Sequence, residues 1–281
     1  MDESKRHSKE PKNTGQTSRS DLPFYIGFAM IGSLYVVLIL AMLVADASYT
    51  SPGHIWASLK SREIQYAIRL SLLSCSLTAI LSVWVAIPIG YLMSRRDFRG
   101  KALLDAILDI PIVLPPLVIG LSLLILFQTP PGRALQRFFP VTYEIPSVIL
   151  AQFSVACAFA VRTLRSTFEN INPRQEQVAL TLGCSRSQAF WRVVLPEARR
   201  GIVAATTLAW ARSLGEFGPI LIFSGATRLR TEVLPTTVFL ELSVGNIEAA
   251  VSVSLLMVLA AVFVLVVIRV SGAQKSIREM G

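Results

Sequence analysis

The sequence predicts an all-α fold, a polytopic transmembrane helical bundle of six spans, and three observations predict it. Hydrophobic residues make up 53% of the 281 residues and charged residues only 16%, too apolar a balance for a water-soluble domain of this size. The apolar residues are gathered into six long stretches, and a helix needs about 20 such residues to cross the hydrocarbon core. Lysine and arginine alternate in abundance from one intervening polar segment to the next.

The chain opens with a polar run of mixed charge, MDESKRHSKEPKNTGQTSRSD, which lacks the apolar core of a signal peptide or a span. Residues 1–22 are therefore expected to be a disordered tail. The transmembrane domain then covers 23–270, with spans at Phe24 to Val44, Ala67 to Met93, Leu103 to Phe127, Ser147 to Thr163, Ile202 to Phe223 and Ile247 to Val270. A second short tail, 271–281, closes the chain. Of the 27 Lys and Arg residues, nineteen fall in one alternate set of polar segments, seven in the other, and Arg212 stands alone inside the fifth span. The rich set holds both termini, so both are predicted cytoplasmic.

The net charge of +9 does not signal nucleic acid, because the basic residues are scattered over four segments instead of forming one patch interleaved with aromatics. Cys75, Cys157 and Cys184 lie far apart, and His7 and His54 have no Cys or carboxylate constellation nearby. No disulfide framework, metal site or catalytic group is expected. The outer segments, Asp46 to Tyr66, Gln128 to Pro146 and Gly225 to Asn246, are too short for a further domain, and Pro52-Gly53 and Thr129-Pro130-Pro131-Gly132 read as turns.

The long cytoplasmic connection, 171–200, is written as two short helices. Asn172 can cap the first, Pro173 suits its first position, Gln175 has capping-box spacing and Gly183 stops it. Ser185 with Gln188 caps the second, which carries an apolar stripe of Phe190, Val193 and Val194 and ends at Pro196. That stripe needs burial, either against another protein or against the chain's own helix ends.

At these residues the chain resembles the ABC importer permease family of type I, whose cytoplasmic motif runs Glu-Ala-Ala, three residues, Gly, nine residues, Ile, one residue, Leu-Pro. Here the register reads Gln177-Val178-Ala179, followed by Leu180, then Gly183, Val193, Leu195 and Pro196. The first two positions depart from the pattern, and Gln177 lacks the charge a salt bridge would need. The resemblance implies the type I permease fold and a coupling helix seated in a groove of a separate ATP-binding cassette subunit. No Gly-x-x-x-x-Gly-Lys-Ser/Thr loop occurs in the chain, so ATP and magnesium are expected on that partner and no cofactor on this chain.

Two spans carry the remaining expectations. The fifth contains Ala211-Arg212-Ser213-Leu214-Gly215-Glu216-Phe217-Gly218, with Arg212 and Glu216 placed to pair at helical spacing. The pair either fixes packing or serves an anion path. In the third, Pro111, Pro115 and Pro116 interrupt backbone hydrogen bonding, either for packing or to line a pathway. The fifth-span string, and Thr227 to Ala250, resemble the molybdate, tungstate and sulfate branch of these permeases. That likeness implies molybdate import, with tungstate or sulfate next, and a translocation pathway that includes Arg212, Ser213, Glu216, Pro111, Pro115 and Pro116. It also implies an extracytoplasmic binding protein, a second permease copy forming a homodimer, and a bacterial or archaeal cytoplasmic membrane. Iron, thiamine, phosphonate and amino-acid importers are rivals within the family. A gradient-driven secondary transporter would not need the capped hairpin and would show repeat symmetry, and a membrane enzyme would need a His, Asp or Cys cluster.

Overall fold

The computed structural model describes residues 22–278, and the side chains of 24–266. Apart from Leu22, the expected N-terminal tail lies outside the described residues, as do 279–281. Helix α1, Leu22–Tyr49, is a largely apolar helix of 28 residues that, as far as Ser48, belongs to a unit separate from the other helices. The second unit, from Tyr49 onward, contains every other element. These are α2 (Pro52–Lys60), α3 (Arg62–Arg95), α4 (Lys101–Val113), α5 (Pro116–Gln128), α6 (Pro130–Phe138) and α7 (Ile145–Asn170). They continue with α8 (Pro173–Thr181), α9 (Arg186–Ala189), a π-helical turn Phe190–Val194, α10 (Leu195–Glu197), α11 (Arg199–Leu214), α12 (Gly218–Phe223), α13 (Leu234–Ser243) and α14 (Ile247–Arg278).

Helices α3 and α7 cross at the centre of this unit and α11 packs on both. The inner face of α3 is built mostly from small residues, Ala67, Ser71, Cys75, Ala79, Ser82, Ala86 and Gly90, with Leu70 and Met93 also buried, while Leu73, Leu77, Ile80 and Trp84 are exposed on the other face. That distribution, large apolar side chains outward and small ones inward, reverses a water-soluble helix and suits one packed against helices on one side and lipid on the other. A β-carbon on Gly90 would stand 2.9 Å from the Arg165 backbone nitrogen of α7, so the two backbones nearly touch there.

Helices α1, α3, α7 and α14 are each long and apolar enough to cross a membrane. The third expected span is broken, with α4 and α5 bent by 111°. Leu114 and Pro115 are extended at the break (ψ 142 and 133), as residues preceding proline prefer. Pro111, which has no N–H to donate, leaves a gap in the hydrogen bonding of α4 without ending it; the helix passes through and ends at Val113. The fifth expected span is also divided, between α11 and α12 at Gly215 to Phe217. The arrangement is consistent with six spans when each broken pair counts once.

Other differences have one physical source. Pro52-Gly53 and Thr129-Pro130-Pro131-Gly132 start helices instead of making turns, with Ser51 and Thr129 as the caps, because a proline's fixed φ serves the first helical position as well as a turn. A difference of another kind, involving no proline, is that helix α14 runs past 270 to Arg278.

Candidate functional site

The hairpin between α7 and α11 forms as two capped pieces. Asn172 Oδ1 accepts the Arg174 N–H at 3.0 Å; Gln175 makes no reciprocal bond among the described residues. Helix α8 ends in a paired closure, Cys184 N–H to the Ala179 carbonyl and Gly183 N–H to that of Leu180, both at 3.1 Å. This closure requires Gly183 at φ +88, the left-handed conformation that glycine adopts without strain. Ser185 and Gln188 exchange bonds of 3.2 and 2.9 Å in a full capping box.

Pro196 does not end the second helix. Phe190–Val194 widens to a π turn, Leu195 N–H bonding to the Phe190 carbonyl, and the chain continues through α10 into α11. The wider turn accommodates a proline that has no N–H to donate.

The hairpin has two faces with different fates. Inward, Ala179, Ala189 and Val194 are buried, and Phe190 stacks edge-on with Tyr91 of α3 at 4.8 Å. Much of the apolar stripe is thus satisfied by the chain's own helices. Outward, Leu182 is 79% and Trp191 63% exposed, as is Val178, while Gly183 has open space where a side chain would be. Gln177 and Pro196 are exposed, and Leu180, Val193 and Leu195 lie at the boundary.

A residue that sequence reasoning passed over holds the two faces together. Glu176 is buried and accepts a 2.6 Å bond from the Tyr91 hydroxyl, with Arg95 Nε 3.4 Å from its other oxygen. Arg95 also donates to the Ile171 carbonyl at 3.0 Å, and Tyr91 meets Phe168 of α7 edge-on. The hairpin is therefore fastened to the ends of both α3 and α7. The available signal was that Glu176 lies three and four residues before Ala179 and Leu180, on the hairpin's inward side.

The second candidate region is the pair of helix breaks. Gly218 and Pro116 meet there, as do Gly120 and Pro219: added β-carbons would come within 2.9 Å of Pro116 Cβ and 2.8 Å of Pro219 Cα. Pro115 and Pro116 of the third span are thus brought against the fifth, while Pro111 stays within α4. Arg212 and Glu216 form the expected pair at 2.7 Å, Arg212 being 30% and Glu216 1% exposed. Glu216 lies beyond the end of α11, in the break itself. The Arg212 guanidinium also sits 5.7 Å from the centre of the Phe159 ring. Ser213 is buried; its carbonyl accepts a 3.2 Å bond from Gln152, which Thr78 also contacts.

In the connection before α13, Glu232 is fully buried and neither carboxylate oxygen has a hydrogen-bond partner among the described residues. Burial pushes its carboxyl above the usual range, against the pull of Arg228. Glu144, at the start of α7, is held below the usual range by its bond to Arg230.

Residues 86–274 match the family described as "Binding-protein-dependent transport system inner membrane component". The sulfate transport system permease protein CysT of Escherichia coli (strain K12) is 32% identical over 256 residues, covering 89% of this chain and 92% of that protein. The molybdenum transport system permease protein ModB of Mycobacterium tuberculosis (strain ATCC 25618 / H37Rv) is 33% identical over 248 residues, 87% and 93% of the two chains. The fold is shared with a chain of a bacterial ABC transporter involved in the import of the acidic polysaccharide alginate, at a TM-score of 0.72 and 16% identity over 90% of this chain and 96% of that one. With its apolar spans and the matched region reaching from α3 to α14, the chain is a multi-pass membrane protein and belongs to the binding-protein-dependent transport system inner membrane component family.

Proposed function

We propose that the chain is the membrane-spanning subunit of an ATP-driven importer for a tetrahedral oxyanion, molybdate in the first instance and tungstate or sulfate next. The observation that carries the coupling half of this reading is the two-faced hairpin. Its inner face is fastened to α3 and α7 through Glu176, and its outer face offers Trp191 and Leu182 to a partner. A rigid capped element held this way transmits movement of a partner's groove into the bundle. The partner is an ATP-binding cassette subunit that holds ATP and magnesium, so this chain is no ATPase itself and binds no cofactor.

The substrate half rests on relatives named for sulfate and molybdate, which match this chain about equally well. The Arg212–Glu216 pair, set in the break that α5 and α12 close around, places a guanidinium in an otherwise apolar span, where a charge marks a substrate path. Ser213, Pro115 and Pro116 belong to the same region, and Pro111, within α4, precedes it in the chain. An extracytoplasmic binding protein delivers the anion, a second copy of this chain completes the pathway, and both termini lie in the cytoplasm. The lipid of the cytoplasmic membrane surrounds the spans.

The test is ATP-dependent uptake by vesicles carrying the chain, its ATPase and its binding protein. Molybdate, tungstate and sulfate are offered beside iron, thiamine and a phosphonate. Uptake of one oxyanion is expected; uptake of one of the other solutes instead would overturn the substrate reading.

A further inference from the structure

One face of α7 is left unused by the packing described above. Phe159, Arg162, Thr163, Ser166, Thr167 and Asn170 recur at intervals of three and four residues and share that face. With Leu208 of α11 they line an open groove of about 490 Å3. The opposite side of the same helix, Val161, Leu164 and Phe168, is buried in the core. A polar, half-open face on a membrane-spanning helix is costly against lipid, so it belongs against water or another subunit.

The groove has defined ends. At the hairpin end, Gly201 lets α11 close on α7, since a β-carbon there would come within 2.2 Å of the Thr167 side chain. At the other end lies Phe159, whose ring carries the Arg212 guanidinium, and Leu208 sits one helical turn before Arg212. The groove therefore begins where the candidate pathway residues in the break leave off.

Its chemistry is that of an anion site. Arg162 is 67% exposed and its near carboxylate, Asp109, stands 3.8 Å away in a loose pair. Arg165, one residue off the face, is by contrast tied to both Asp105 and Glu169. Thr163 and Thr167 spend their hydroxyl protons on the Phe159 and Thr163 carbonyls, but Ser166 and Asn170 keep free donors among the described residues. Among the described residues, no carboxylate lines the groove.

We propose that this α7–α11 groove is the cytoplasmic exit site for the transported oxyanion, with Arg162 as its charged ligand and Ser166 and Asn170 as neutral donors. The inference rests on the oxyanion-import reading and on the hairpin facing the cytoplasm. The anion passes from Arg212 to Arg162, each guanidinium already shared with a carboxylate, Glu216 or Asp109. A shared charge binds weakly enough to let go, as conduction through successive sites requires.

The experiment measures uptake of molybdate, tungstate and sulfate by vesicles of the full complex carrying wild type, Arg162→Gln or Arg162→Lys. A second arm places Ser166→Cys in a chain with Cys75, Cys157 and Cys184 replaced by alanine, and compares its reaction with anionic and cationic thiol reagents. Uptake is expected to fall at least tenfold with Arg162→Gln and to recover to within threefold of wild type with Arg162→Lys. The anionic reagent should react faster at Ser166→Cys, and Arg162→Gln should abolish that preference. Wild-type uptake in Arg162→Gln, or equal failure of Arg162→Lys and Arg162→Gln, would overturn the exit site while leaving oxyanion import intact. A wild-type complex that takes up none of the three anions would sink the import reading and the exit site with it.

Discussion

Gly218 lies against Pro116 so closely that a β-carbon on the glycine would stand 2.9 Å from the proline Cβ. The reciprocal contact, Gly120 against Pro219, would leave 2.8 Å. The two broken spans are thus locked by a pair of glycine-proline contacts, each proline marking a helix start and each glycine removing the side chain that would hold the helices apart.

Gly120→Ala should therefore destabilise the fold, because the nearest atoms are backbone and cannot swing aside. Overpacking of this kind costs about 1–3 kcal/mol. Thermal unfolding in detergent checks it: a lowered midpoint is expected, and an unchanged one would show that α5 and α12 are not held at this distance.

The hairpin's fastening to the bundle makes a separate prediction. Tyr91→Phe removes the 2.6 Å bond to Glu176 and leaves the ring contacts with Phe168 and Phe190 in place. A hydrogen bond to a buried charged group is worth about 1.5–3 kcal/mol. Hydrogen exchange measured along α8 should accelerate in the variant while that of α3 and α7 is retained; equal protection in α8 would mean that Glu176 does not hold the hairpin.

Trp191→Ala tests the outward face. Trp191 is exposed in this chain, so its truncation should leave the thermal midpoint nearly unchanged. Affinity for the ATPase subunit should fall about 30-fold, the effect of losing an aromatic anchor worth about 2 kcal/mol. A lowered midpoint with unaltered affinity would place Trp191 in the fold instead of at the interface.

Two carboxyls outside the long spans make opposite predictions with pH. Glu144 has a folded pKa lowered by Arg230, so its contribution is present above the unfolded value and is lost as pH falls through the folded one. Glu232 has a folded pKa raised by burial, so holding it costs stability as pH rises from the unfolded value towards the folded one. At neutral pH, Glu144→Gln should lower the unfolding midpoint and Glu232→Gln should raise it, both differences shrinking below the ordinary carboxylate range. Unfolding scans across that range would refute the assignment if the two variants shifted in the same direction.

The parts legible in the sequence were those governed by local chemistry. The places of α1, α3, α7 and α14 follow from long apolar runs, although each helix reaches beyond its run into polar residues, and the ends of α8 and the start of α9 follow from Asn172, Gly183 and the Ser185–Gln188 pair. The break near Pro115 is equally local. Pro52 and Pro130 were read as turns because a proline after a serine or threonine suits either a turn or a helix start, and only the following packing decides. The role of Glu176 was not legible, since its partners Tyr91 and Arg95 come from a helix more than 80 residues earlier in the chain. The glycine-proline lock was hidden for the same reason: Pro115 and Pro116 announced a break, but nothing local said that Gly218 would meet Pro116 or Gly120 meet Pro219.

The most direct test of the coupling account is ATP hydrolysis by the reconstituted complex with and without the loaded binding protein, in wild type, Gly183→Ala and Gly183→Glu. Both substitutions carry the strain of φ +88, about 1 kcal/mol against glycine, but only glutamate projects a charged side chain into the open space where the partner is expected. Oxyanion-dependent hydrolysis is predicted in wild type, largely retained in Gly183→Ala and lost in Gly183→Glu. Undiminished oxyanion-dependent hydrolysis in Gly183→Glu would contradict the claim that this hairpin couples ATP to transport.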